Sequence, residues 1–254
     1  MIPLVIAHRG ASAHAPENTL EAFRLAFDRF KVDMIEFDVR VTLDGIPVVI
    51  HDARLERTTN GAGYVTRHTL KQLKTLTIPL SPPSLLKEAG RGEGIKIPTL
   101  EEVLANFPGR SLAVEIKDNS RELVKSVMAL VKKYKAEGHA VVGSKHHAVA
   151  RQLRGHYPHI RRFLSQREVM GLYLDCRRNK PNPEKDPLGV VSVPPSSRSC
   201  RFDTPAFIDY VHQKEMKLVF WTINDADSMK SLWKKGADGI LTDDPGLAKI
   251  AARS

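Results

Sequence analysis

Short runs rich in branched and aromatic residues recur along this 254-residue chain, and helical patterns follow most of them. The predicted strands cover residues 4–7, 34–39, 112–116, 139–143, 160–164, 188–193, 217–221 and 238–241. The predicted helices cover 19–30, 99–107, 120–136, 146–155, 166–173, 204–214, 225–235 and 245–252. Strands that alternate with helices pair in parallel, because a parallel neighbour is reached only through a crossover. Alternation alone does not separate a closed barrel from an open sheet. The count of eight, and a length near the roughly 250 residues typical of a (β/α)8 barrel, favour the barrel. The expected fold class is α/β, a TIM (β/α)8 barrel forming one domain over residues 1–254.

A ninth apolar run, Pro47-Val48-Val49-Ile50, stands outside that count. Asp44-Gly45 just before it signals a tight hairpin. So short a turn makes the run antiparallel to the strand it follows. It is expected to rise above the 34–39 strand and hold His51 over the barrel mouth. Residues 52–98, rich in Gly, Pro, Thr and Lys without strong periodicity, read as a small functional insertion near the mouth. Residues 177–187 read as a polar loop. Asn18-Thr19-Leu20-Glu21 reads as an Asn cap with an acidic first turn, and Asp225 and Thr204-Pro205 start later helices.

Composition narrows the class further. With 42% hydrophobic and 27% charged residues the chain is globular and not disordered. No run approaches the roughly 20 apolar residues of a membrane span. Cys176 and Cys200 are too few for a disulfide framework. The N-terminal apolar stretch is too short for a signal peptide and lacks a basic start, so a cytoplasmic location is expected. The net charge of +10 is concentrated: residues 128–201 hold 15 basic and 5 acidic residues, and the flanking segments are nearly neutral. Such a block reads either as solvated helix faces or as a surface for phosphate-bearing ligands, including weak contact with an anionic membrane surface.

The chemistry-bearing residues sit at the expected C-terminal ends of strands, where such barrels keep their active sites. In Ile35-Glu36-Phe37-Asp38-Val39 the two carboxylates share one face of the strand and the apolar residues the other. With the apolar set under the helices, Glu36 and Asp38 point inward. Two buried like charges cost several kcal/mol unless something neutralises them, either a divalent cation or a structural salt bridge. Val114-Glu115-Ile116-Lys117 repeats the arrangement and supplies a third carboxylate. Three oxygen ligands suit Mg²⁺ or Ca²⁺ better than Zn²⁺. Lys117 adds a cation for a substrate phosphate or for Glu115 itself. His8-Arg9-Gly10 ends the first strand with a proton-transfer group, a planar donor suited to phosphate and a residue that permits close backbone approach. His51-Asp52 offers a second histidine. Cleaving a phosphodiester needs a base at the nucleophile and an acid at the leaving oxygen, which two histidines flanking a metal satisfy. Trp221 either walls a pocket at the barrel rim or packs in the core. Thr242 and Asp243 are candidates for supporting positions behind the site.

Taken in order, several motifs resemble the glycerophosphodiester phosphodiesterase family. They are His8-Arg9-Gly10, Pro16-Glu17-Asn18-Thr19, Glu36-Phe37-Asp38-Val39, Asp44-Gly45 through His51-Asp52, Pro98-Thr99-Leu100, Glu115-Ile116-Lys117, Trp221-Thr222-Ile223-Asn224 and Asp238-Gly239 through Thr242-Asp243. The resemblance implies a TIM barrel with a divalent cation on Glu36, Asp38 and Glu115. It also implies His8 and His51 as the acid/base pair, Arg9 and Lys117 on the phosphate, and the 52–98 segment as an insertion capping the mouth. One departure stands out: where the family often carries Ser-Phe after the fourth strand, this chain has Ser144-Lys145. The leading expectation is metal-dependent hydrolysis of a small-molecule glycerophosphodiester to glycerol 3-phosphate and an alcohol, with water or the substrate's own 2-hydroxyl as nucleophile. The second is the same chemistry on a lysophospholipid, which needs an apolar channel. The third is a non-catalytic barrel binding phosphate or nucleic acid. No nucleic-acid motif supports it, two Trp and five Tyr leave few stacking groups, and no nucleic-acid partner is expected.

Overall fold

The computed structural model describes residues 3–79, 94–180 and 184–253. The parts of the expected insertion and polar loop at 80–93 and 181–183 lie outside the described residues. In chain order the strands are β1 (Leu4–His8), β2 (Met34–Val41), β3 (Pro47–Val49), β4 (Leu112–Ile116), β5 (Ala140–Gly143), β6 (Arg161–Phe163), β7 (Gly189–Val193), β8 (Ser196–Ser197), β9 (Cys200–Arg201), β10 (Lys217–Phe220) and β11 (Gly239–Thr242). Eight of them pair in parallel in the order β1-β2-β4-β5-β6-β7-β10-β11, and β11 returns to β1. The sheet is therefore a closed barrel, as expected. The helices are α1 (Leu20–Arg24), α2 (Leu70–Thr75), α3 (Leu100–Asn106), α4 (Arg121–Lys133), α5 (His147–His156), α6 (Gln166–Arg177), α7 (Pro205–Gln213), α8 (Ala226–Lys235) and α9 (Pro245–Ala251).

The two-residue period of the strands sorts side chains between two cores. Ile35, Phe37 and Val39 of β2 join Phe23, Phe27 and Phe107 in the layer between strands and helices. Ile6, Val141, Val190, Val219 and Leu241 meet one another although β1 and β5 lie across the barrel, so they fill its interior. Burying each such side chain contributes roughly 1.5–3 kcal/mol. Gly143 belongs to this fit, because a Cβ there would come within 2.4 Å of Phe163 Cβ.

As the Asp44-Gly45 signal predicts, β3 runs antiparallel to the end of β2, with Val49 opposite Val39 and Pro47 opposite Val41. Two short elements within 52–98 escape sequence periodicity: a 3₁₀ turn at Val65–Arg67 and α2. Leu55, Val65, Leu73, Ile78, Ile95 and Ile97 pack with Val48 and Ile50 into a small second core, which fixes the insertion to β3. α6 runs on through Arg177, four residues past its expected end, because Leu174-Asp175-Cys176-Arg177 contains no helix breaker. Among the described residues no helix is long and apolar enough to cross a membrane.

One cap differs from expectation. Thr19, not Asn18, caps α1, accepting from the Ala22 backbone N–H. Asn18 adopts a left-handed φ of 58° and turns its side chain elsewhere. Thr204 and Asp225 cap α7 and α8 as read from the sequence.

Candidate active site

Register assembles the site at the C-terminal mouth of the barrel. β1 sets His8 beside Glu36 of β2, and β2 sets Asp38 beside Glu115 of β4. Carboxylate oxygens of Glu36, Asp38 and Glu115 lie within 4.8 Å of one another, the constellation expected from strand alternation. Glu36 is 4% exposed and Asp38 1%.

The two buried carboxylates are served unequally. Asp38 Oδ1 faces Lys117 Nζ at 2.9 Å, and Asp38 Oδ2 faces Arg9 Nε at 3.2 Å. Asn18 adds an amide donor to Asp38 Oδ2 at 2.9 Å and accepts from the Asp38 N–H. Burial opposes the charge on Asp38, but Lys117, Arg9 and His51 outweigh it and hold the carboxyl below its ordinary range. Glu36 receives a 3.1 Å bond from the Arg9 backbone N–H. Burial, then the neighbouring Asp38 charge, push its pKa up to about 8 against the partial relief of His8. Glu36 is thus the member short of positive charge. A donor set of three convergent carboxylates, one of them held near-neutral for want of a cation, fits a hard divalent ion. Lys117 also reaches Glu115 Oε2 at 2.7 Å and so bridges Glu115 and Asp38 at the mouth.

Arg9 reaches these groups because it too is left-handed, with φ 56°, and its carbonyl accepts from the Asn18 N–H at 3.0 Å. Gly10, at φ 83°, lets the turn close on α1: a Cβ there would lie 2.8 Å from Ala22 Cβ. Its close approach is to the helix.

Each histidine is tethered through Nδ1. His8 Nδ1 bonds Asp243 Oδ1 at 2.7 Å, and Asp243 Oδ2 accepts from Asn224 Nδ2 at 2.7 Å. His51 Nδ1 bonds Asp52 Oδ1 at 2.6 Å. Among the described residues neither ring has a hydrogen-bond partner at Nε2. Burial disfavours the charged form of both. For His8 the Asp243 hydrogen bond and the Glu36 charge more than compensate, and its pKa lies above the ordinary 6.5. For His51 burial prevails over Asp38 and Asp52, with Lys117 and Arg9 opposing the charge as well, and its pKa lies below 6.5. Asp243 itself is held at about 2: burial raises it, but the His8 and Asn224 hydrogen bonds dominate.

A cavity of about 530 Å³ opens beside His8, lined by His8, Arg9, Ser12, Ala13, Glu17, Asn224, Asp243 and Asp244. Trp221, 41% exposed just beyond β10, is a rim residue and not a core one, although it does not line this cavity. Glu17, Asn18, Asn224 and Arg57 were not singled out as functional side chains from sequence. The first three lie inside the quoted motifs, but only the folded chain brings them to their partners.

Comparison with known proteins follows the same lines. A glycerophosphodiester phosphodiesterase of Caldanaerobacter subterraneus is 32% identical over 250 residues, covering 96% of each chain. A lysophospholipase D of Mus musculus is 28% identical over 96% of this chain and 84% of its own. The Oleispira antarctica phosphodiesterase in complex with the product sn-glycerol-3-phosphate superposes with a TM-score of 0.73 at 26% identity, covering 100% of this chain and 98% of that one. The model of the glycerophosphoryl diester phosphodiesterase family matches residues 8–247, nearly the whole chain, and to that family this protein belongs.

Proposed function

We propose that the protein hydrolyses a glycerophosphodiester to glycerol 3-phosphate and an alcohol, with Glu36, Asp38 and Glu115 as the ligands of a divalent cation, Mg²⁺ or Ca²⁺. The observation that carries this reading is the three-carboxylate cluster flanked by two histidines, each oriented by its own carboxylate. When bound, the cation supplies positive charge where the phosphoryl oxygens gather negative charge. Arg9 and Lys117 add two fixed cations at the same mouth, and their pairing with Asp38 aims them before substrate arrives. His51, with its pKa below 6.5, is neutral at working pH, and its Nε2 accepts the proton of the nucleophile. His8, with its pKa above 6.5, delivers a proton from Nε2 to the departing alkoxide. The two environments push the titrations of the cation-free protein apart, which supports His51 as the base and His8 as the acid. Asp243 and Asp52 fix the ring orientations and tautomers.

Apart from Ala13 the cavity beside His8 is lined by polar and charged groups, which suits a glycerophosphodiester better than an acyl chain. The test is a product assay on glycerophosphocholine and lysophosphatidylcholine with added Mg²⁺ or Ca²⁺. The proposal expects glycerol 3-phosphate from the first at a higher kcat/KM than any product from the second. A reversed preference would replace it with lysophospholipase D activity, and absence of hydrolysis with either would refute it.

A further inference from the structure

Arg57 belongs to the insertion, outside the eight barrel strands and outside the residues assigned above. Its guanidinium donates four hydrogen bonds to two carboxylates. Nη1 and Nη2 meet Glu17 Oε2 and Oε1 at 2.7 and 2.8 Å. Nε and Nη2 meet Asp52 Oδ2 and Oδ1 at 2.5 and 3.2 Å. Each carboxylate passes the constraint on. Asp52 holds His51 Nδ1, and Glu17 Oε1 holds Arg9 Nη1 at 2.9 Å. Arg9 reaches Asp38, and Asp38 O accepts from the Ile50 N–H, one residue before His51, at 3.0 Å. The chain of contacts is therefore a closed ring, from Asp38 through Arg9, Glu17, Arg57, Asp52 and His51 back to β2.

We propose that Arg57 is a positioning residue that sets His51 and Arg9 relative to each other, so that the insertion controls the geometry of catalysis. This rests on the hydrolase reading above. The backbone around Arg57 is rigid enough for the task. Leu55 is fully buried in the second core, and the Thr59 N–H closes on Leu55 O at 3.0 Å. The Arg57 side chain is 47% exposed, so water and salt screen its ion pairs and they add little to stability. What a planar fork of donors does supply is orientation: it grips two carboxylates in fixed planes, which the point charge of lysine cannot.

The test is steady-state hydrolysis of glycerophosphocholine by the full-length, cation-supplemented protein, with thermal unfolding alongside. Arg57→Ala and Arg57→Lys should each lower kcat by about ten- to a hundredfold, the range for losing a group that orients another, with little change in unfolding temperature. Free guanidinium should restore part of the Arg57→Ala loss. Arg57→Ala combined with Asp52→Asn should be no slower than the slower single variant, because both break one link. Arg54→Ala is the control: Arg54 pairs with Glu56, away from the ring, and should keep wild-type kcat. If Arg57→Ala fails to fold, Arg57→Lys carries the test. Wild-type kcat in Arg57→Lys, a loss confined to KM, or full additivity with Asp52→Asn overturns the proposal. A wild-type protein that hydrolyses no glycerophosphodiester overturns the underlying reading instead.

Discussion

Glu36→Gln should stabilise the cation-free protein while abolishing its proposed activity. The folded chain holds the Glu36 proton up to about pH 8, against 4.5 for an ordinary glutamate. Glu36 therefore binds its proton more tightly folded than unfolded. Its contribution to stability is complete below pH 4.5 and is lost as pH rises to about 8. Each unit corresponds to about 1.4 kcal/mol, so by pH 7 the loss is about 3 kcal/mol. Glutamine has nothing to ionise and keeps an oxygen to accept from the Arg9 N–H. At about 2–4 °C per kcal/mol for a domain of this size, Glu36→Gln should melt about 6–12 °C above wild type in EDTA at pH 7. At pH 5 the two should nearly coincide. Mg²⁺ or Ca²⁺ should raise the wild-type melting temperature more at pH 8 than at pH 6, and that of Glu36→Gln much less at either. Thermal unfolding by circular dichroism reads all of these. A variant no more stable than wild type at pH 7, or a difference that does not change between pH 5 and pH 7, would show that Glu36 ionisation does not destabilise the folded chain.

His8→Ala and His51→Ala should each lower kcat by about 10²–10⁴-fold, the usual worth of general acid–base catalysis. Wild-type kcat/KM should rise through a pKa below 6.5 as His51 becomes neutral and fall through one above 6.5 as His8 loses its proton. A pH–rate profile for each variant should lack the matching limb. Asp243→Asn removes the carboxylate that raises the His8 pKa, so the alkaline limb should move to lower pH and kcat should fall. Gly143→Ala drives a methyl into Phe163 and should cost about 1–3 kcal/mol in chemical denaturation, with no selective effect on substrate affinity.

What was legible in the sequence was whatever obeys a local period or a short-range turn. Alternation over Ile35–Val39 and Val114–Lys117 exposed the inward carboxylates, and Asp44-Gly45 exposed the β3 hairpin and thus the place of His51. Asn18 reads as a cap in the sequence, but the Ser/Thr/Asn preference of a helix start is satisfied by Thr19, and the left-handed backbone at Asn18 leaves no mark on a one-letter string. Arg57, Asp52 and Glu17 meet across 40 residues of chain, a distance that no local pattern spans. α2 and the β8–β9 hairpin are too short to show a period. The basic block proved divided. Lys145, Arg167 and Arg198 follow mouth ends of strands, whereas Lys132, Lys135, Arg177 and Arg178 lie at or beyond the C-terminal ends of α4 and α6, at the opposite end of the barrel. There they face the negative ends of helix dipoles.

In the proposed function the carboxylate cluster works by holding a divalent cation. The most direct measurement is release of glycerol 3-phosphate from glycerophosphocholine by wild-type and Glu115→Gln proteins stripped with EDTA, dialysed, and assayed with and without Mg²⁺ or Ca²⁺. Stripped wild-type protein should show no turnover and recover on adding one of the two ions, and Glu115→Gln should recover little. Full turnover by the stripped wild-type protein would contradict that role of the cluster.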